Sequence, residues 1–117
     1  MEEPLIAARP TETARRHTIH EAGNLVLDLE SRCASLGGER LLLTHQEFEV
    51  LALLTRRANL IVLHKEICRT IWGSCSPREV KRLGVVISNL REKLDGLSPH
   101  TISTVRSRGY GLVLAQD

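Results

Sequence analysis

Aromatic residues are nearly absent from this 117-residue chain: Phe48, Trp72 and Tyr110 are the whole set. A platform that stacks single-stranded nucleic acid needs several exposed rings, so that mode of binding is not expected. Apolar runs are short, far below the ~20 residues of a membrane span. The N-terminus mixes acidic, apolar and basic residues and shows no secretory h-region. A soluble, cytoplasmic protein with no membrane partner is therefore expected. The three cysteines are an odd number, and without a secretory signal they do not suggest a disulfide framework. His64 and Cys68 lie one helical turn apart with Cys75 nearby. A structural zinc site wants four ligands at paired spacings, and no CxxC is present. Cys68 reads instead as a small buried hydrophobe, and neither metal binding nor redox sensing is expected. No glycine-rich phosphate loop, paired carboxylates or nucleophile–base motif stands out. The chain is not read as an enzyme, and no cofactor is expected.

What is present is a mildly basic sequence with net charge +2, pI about 8.6 and 42% hydrophobic residues. That size supports one domain with a real core. Residues 1–17 are polar, contain Pro4 and Pro10, and end in Arg15-Arg16; they read as a flexible tail or linker. Residues 18–117 form the expected domain. From Ile19 to Leu43 the apolar runs are short and broken at Gly23-Asn24 and Gly37-Gly38, which fits antiparallel strands joined by tight turns.

Periodicity then becomes helical. Thr44-His45-Gln46-Glu47 is a capping box, opening a helix through about Arg57 with Phe48, Leu51 and Leu54 inward. Leu60-Ile61-Val62-Leu63 is expected to bring the chain back across the core. A second helix runs from about His64 to Trp72, burying Ile67 and Ile71, and Gly73 ends it. Ser76-Pro77-Arg78-Glu79 is a second capping box, with proline at the first helical position. The third helix reaches about Leu94, where Gly96 closes it. Its Leu83, Ile87, Leu90 and Leu94 share one face, opposite Lys81, Arg82, Val85, Ser88, Asn89 and Glu92. Strands at Thr101–Val105 and Tyr110–Leu114 make a hairpin around Ser107-Arg108-Gly109, where Gly109 is expected to supply backbone freedom. The predicted fold is α+β: a small N-terminal antiparallel sheet, three helices and a C-terminal β-hairpin wing.

These elements, in this order, resemble the C-terminal effector domain of OmpR/PhoB-type response regulators. The resemblance covers roughly Ile19 to Leu114. Its landmarks are Leu43-Thr44-His45-Gln46-Glu47-Phe48, Ile71-Trp72-Gly73, Leu90-Arg91-Glu92-Lys93-Leu94 and Thr104-Val105-Arg106-Ser107-Arg108-Gly109-Tyr110. It implies a winged helix-turn-helix that binds double-stranded DNA sequence-specifically and regulates transcription, often as tandem dimers on direct repeats. It also implies that the loop from Gly73 to Pro77 can contact RNA polymerase. The family usually carries an N-terminal phosphorylatable receiver domain, and this sequence has none; an excised effector domain and a stand-alone regulator both stay open. Members commonly place an acid at the position of Gly84 and arginines near Ser88 and Asn89. Here those positions are small or neutral.

A helix about as wide as the third one fits a major groove. Asn89 is the leading base reader, because an Asn amide can bond adenine N6 and N7 together; Val85 suits a thymine methyl, and Ser88 suits base or phosphate. Lys81, Arg82 and Arg91 flank that face and suit phosphate contacts. Trp72, through its indole N–H, and Thr104, through its hydroxyl, are further phosphate candidates. Arg106 and Arg108 at the wing tip suit the backbone or a narrow minor groove, whose negative potential stabilises arginine, with Tyr110 packed at the wing base. Glu92 opposes this field unless it accepts from cytosine N4. A second reading stays open, in which the winged helix is a protein-interaction module docking on RNA polymerase or another regulator; the weak charge of the recognition face supports it.

Overall fold

A computed structural model describes residues 19–94 and 100–114. The expected tail at 1–17 and the helix stop at Gly96 lie outside the described residues. Four short strands open the fold: β1 (Ile19–Ala22), β2 (Leu25–Asp28), β3 (Cys33–Leu36) and β4 (Glu39–Leu41). They pair antiparallel in the order β1-β2-β3-β4. The period-two pattern decides which side faces the core: Leu25 is opposite Leu36 and Leu27 opposite Ala34, and all four are buried. The β3–β4 connection needs two left-handed residues in succession, and Gly37 (φ 62°) with Gly38 (φ 87°) meets that demand.

Helix α1 (His45–Arg56) starts with both halves of its capping box formed. Glu47 N–H donates to Thr44 Oγ1 at 3.2 Å, and Thr44 N–H donates to Glu47 Oε1 at 2.9 Å. Phe48, Leu51 and Leu54 point inward as expected, joined by Val50 and Leu53. Helix α2 (His64–Trp72) buries Ile67 fully, whereas Ile71 is only half-buried.

Between these helices the segment at Leu60–Leu63 departs from expectation. It does not cross the core. Only Val62 is buried, while Leu60, Ile61 and Leu63 face outward. Val62–Leu63 instead form β5, an edge strand against β7 (Gly109–Leu114), which also pairs with β6 (His100–Val105) in the order β5-β7-β6. Backbone bonds extend this seam at both ends, from Asn59 N–H to the Leu112 carbonyl (2.7 Å) and from His64 N–H to the Arg108 carbonyl (2.8 Å).

Helix α3 (Pro77–Leu94) buries Leu83, Val86, Ile87, Leu90 and Leu94, the i, i+3, i+4, i+7 spacing of an amphipathic helix. At its start the Glu79 carboxylate accepts from Ser76 N–H (2.8 Å) and from the Ser76 hydroxyl. These bonds hold the Glu79 carboxyl below its ordinary value. The core lies where α1, α2 and α3 meet the two sheets, around Leu51, Leu54, Ile67, Leu83, Ile87, Leu90 and Leu112.

Candidate nucleic-acid interface

Burying one stripe of α3 turns the other outward. Lys81, Arg82, Val85, Ser88, Asn89 and Glu92 are all exposed, and Val85 keeps 56% of its surface accessible. At 18 residues the helix is about 27 Å long, enough to lie along a groove. Arg78 belongs to the same face. Sequence reasoning passed over it, although it lies four residues before Arg82 and seven before Val85, one and two helical turns away.

The wing turn differs in detail from expectation. Residues 106–108 form the loop, closed by Arg108 N–H donating to the Val105 carbonyl at 2.9 Å. Ser107, not Gly109, takes the left-handed conformation (φ 63°). Gly109 is required for another reason: a Cβ there would stand 2.0 Å from the Val62 carbonyl oxygen. The glycine lets β5 lie against the wing. Arg106 and Arg108 are exposed at the turn, and the Tyr110 ring packs beside His64 with centroids 5.3 Å apart.

Arg91 has an intramolecular role that its sequence position does not reveal. Its Nε and Nη2 donate to the Ile102 carbonyl at 3.0 and 2.9 Å, and Nη2 also reaches Thr104 Oγ1. Two expected phosphate ligands are thus bonded to each other, tying α3 to β6. At the start of α1, Lys93 pairs with the buried Glu47. Burial alone would raise the Glu47 carboxyl, but Lys93 and the Thr44 bonds outweigh it and hold it below its ordinary value. Helix α3 is therefore latched to the hairpin through Arg91 and to the α1 N-terminus through Lys93.

Trp72 also differs. Its Nε1 is buried without a hydrogen-bond partner, so this conformation does not present the N–H to a phosphate. The Arg82 guanidinium lies over the ring, 5.8 Å from its centroid. Sequence reasoning also missed Arg32, which pairs with Glu49 and stacks over Phe48 at 4.6 Å. Among the described residues no cluster of three or more His, Cys, Asp or Glu is placed to hold a metal, and no helix is long and apolar enough to cross a membrane.

An exposed third helix, packed on two others and flanked by a hairpin with arginines at its turn, defines a winged helix-turn-helix DNA-binding domain. The family model described as "Transcriptional regulatory protein, C terminal" matches residues 38–112, and the chain belongs to that family, the OmpR/PhoB-type effector domains. It is 34% identical over 92 residues to the cell cycle response regulator CtrA of Brucella ovis, a match covering 77% of this chain. The match spans about 40% of that relative's length. Its fold is similar to the DNA-binding domain of CpxR from E. coli (TM-score 0.75, 32% identity, 84% of this chain and 98% of that one). It is also similar to the Klebsiella pneumoniae RstA DNA-binding domain in complex with the RstA box (TM-score 0.72, 30% identity, 83% and 98%).

Proposed function

We propose that this domain binds double-stranded DNA sequence-specifically to regulate transcription, inserting α3 in the major groove with the wing on the adjacent backbone or minor groove. The observation that carries the reading is the separation of the two faces of α3, one sealed into the core and the other wholly exposed between basic residues. Val85, Ser88 and Asn89 meet base edges, and Arg78, Lys81 and Arg82 meet phosphates. Arg106 and Arg108 approach the duplex from the wing, whose base Tyr110 supports. Arg91 and Thr104 act first on each other; the guanidinium edge that remains and the threonine hydroxyl lie close enough together to share one phosphate. Trp72 joins only if Arg82 leaves its ring. The RstA neighbour, solved on its DNA box, supports this docking. Tandem binding on direct repeats and contact of the loop before α3 with RNA polymerase belong to the same proposal.

Selection of duplexes by the purified chain from a random library, at two salt concentrations, tests it. A short enriched motif whose binding falls steeply with salt is expected, because neutralised phosphates release counterions. The absence of any binding at low salt would overturn it in favour of a protein-docking module.

A further inference from the structure

Away from the proposed DNA face, a pocket brings cations together over an apolar floor. It lies where β1 and the β2–β3 turn meet α1 and the end of α2, and its volume is about 180 Å³. None of the residues lining it belongs to α3 or the wing. Phe48 and Leu53, both buried, give the floor. His20, Arg32, Glu49, Arg56 and Thr70 give the polar walls. Helical spacing accounts for the share of α1, since residues 49, 53 and 56 fall on one face.

The charges in this pocket are unequal. Arg32 is already engaged: it pairs with Glu49, has its Nη2 3.1 Å from His45 Nδ1 and lies over the Phe48 ring at 4.6 Å. That pairing commits Glu49 as well. Arg56 is exposed, and among the described residues no carboxylate pairs with it. Its charge is felt inside the pocket, where burial first and then Arg56 hold His20 below 6.5. At neutral pH His20 is therefore largely uncharged, and the pocket carries one positive charge in excess.

That excess, set above apolar side chains, selects the occupant. A dianion such as phosphate would set its second charge against Glu49 and give up hydration that Phe48 and Leu53 cannot replace. A neutral apolar molecule would leave Arg56 without a partner. The volume is below the ~300 Å³ at which pockets for drug-sized ligands begin, so the molecule is small. We propose that the pocket binds a small monocarboxylate, with the carboxylate held by the Arg56 guanidinium and the Thr70 hydroxyl and a short aliphatic or single-ring body on Phe48 and Leu53.

The guanidinium can present two N–H groups to one carboxylate, and the bound anion opposes the field of Arg56 at His20. The ionisable groups that share the pocket with His20 are Arg32, Glu49 and Arg56. Arg32 and Glu49 offset each other. Occupancy therefore raises the His20 pKa, and by linkage the ligand binds more tightly as pH falls through the His20 transition.

The test is an NMR titration of the native chain with sodium butyrate at neutral pH, with ionic strength held constant by sodium chloride. Saturable movement of the His20 ring and Thr70 amide signals is expected. Butyramide, of the same shape without the charge, should give no saturation, and inorganic phosphate should not displace butyrate. Arg56→Gln should weaken binding about five-fold, the upper end for an exposed ion pair. Thr70→Val should weaken it less, and Arg40→Gln, on β4 outside the pocket, should leave it unchanged. The His20 titration should move upward when butyrate is saturating. Movement that grows without saturating, an equal response to butyramide, or parent-like binding by Arg56→Gln would each overturn the site. Displacement by phosphate would overturn the monocarboxylate class, and an unmoved His20 titration would overturn the linkage. None of these readouts involves DNA, so the pocket stands or falls apart from the proposed function.

Discussion

The Arg91 guanidinium grips the Ile102 carbonyl with two donors, Nε at 3.0 Å and Nη2 at 2.9 Å. These bonds tie α3 directly to strand β6 of the hairpin. A lysine keeps the charge but not the planar fork. Arg91→Lys should therefore lower unfolding free energy by about 1 kcal/mol in urea titrations. It should also weaken DNA binding more than the retained charge predicts. Thr104→Val, which removes one acceptor and leaves the Ile102 bonds, should cost less. Equal stability of Arg91→Lys and the parent would show that the grip contributes nothing.

The wing arginines are expected to act through charge. Replacing Arg106 or Arg108 by alanine should reduce the slope of log affinity against log salt by about 1 for each residue and weaken all sequences alike. Thermal unfolding should barely move, since both are exposed. Loss confined to particular base pairs would show instead that these residues read sequence.

Asn89→Ala should relax the preference at one base pair, erasing about 1–3 kcal/mol of discrimination, with the salt slope unchanged. A repeat of the duplex selection with the variant reads this directly. An identical motif would remove Asn89 from the base-reading set.

Two glycines should respond in opposite directions. Gly109→Ala places a methyl group against the Val62 backbone, forcing β5 from the wing at a cost of about 3 kcal/mol. Gly84 has nothing within 4 Å of its notional Cβ, so Gly84→Ala should stabilise the helix by up to about 1 kcal/mol. Denaturation midpoints of the two variants, on either side of the parent, test both statements.

Acid should destabilise the domain in two stages. Burial and then Arg56 hold His20 below its ordinary 6.5, so the unfolded chain takes up that proton first and stability begins to fall as pH drops through 6.5. Glu47 is held below 4.5 despite its burial, by Lys93 and Thr44. Its contribution is present above pH 4.5 and is lost as pH falls toward the lower folded value. Glu47→Gln should therefore be less stable at neutral pH and show a shallower decline below 4.5. Parallel pH profiles for the two proteins would rule out this role for the Glu47–Lys93 pair.

Local chemistry was enough to read the element order from sequence. Thr44 with Glu47 announced α1, Pro77 with Glu79 announced α3, and Gly37-Gly38 announced a hairpin, because caps and tight turns are specified by a few neighbouring residues. The outward face of α3 was equally legible, since helical periodicity separates Val85 and Asn89 from Leu83 and Ile87 without knowledge of the partner. What joins distant segments was not. An apolar run at Leu60–Leu63 resembles a core crossing until β7 is seen to take it as an edge strand, and Gly109 resembles a turn residue until the Val62 backbone is placed against it. Arg91 gripping Ile102 and Lys93 meeting Glu47 both depend on how helices and sheets pack. The sequence by itself determined which residues form helices, strands and turns, through short-range hydrogen bonding and the burial period. Only the tertiary structure decided which exposed-looking cations are committed to internal acceptors, because that choice is made by carbonyls and carboxylates contributed from elsewhere in the chain.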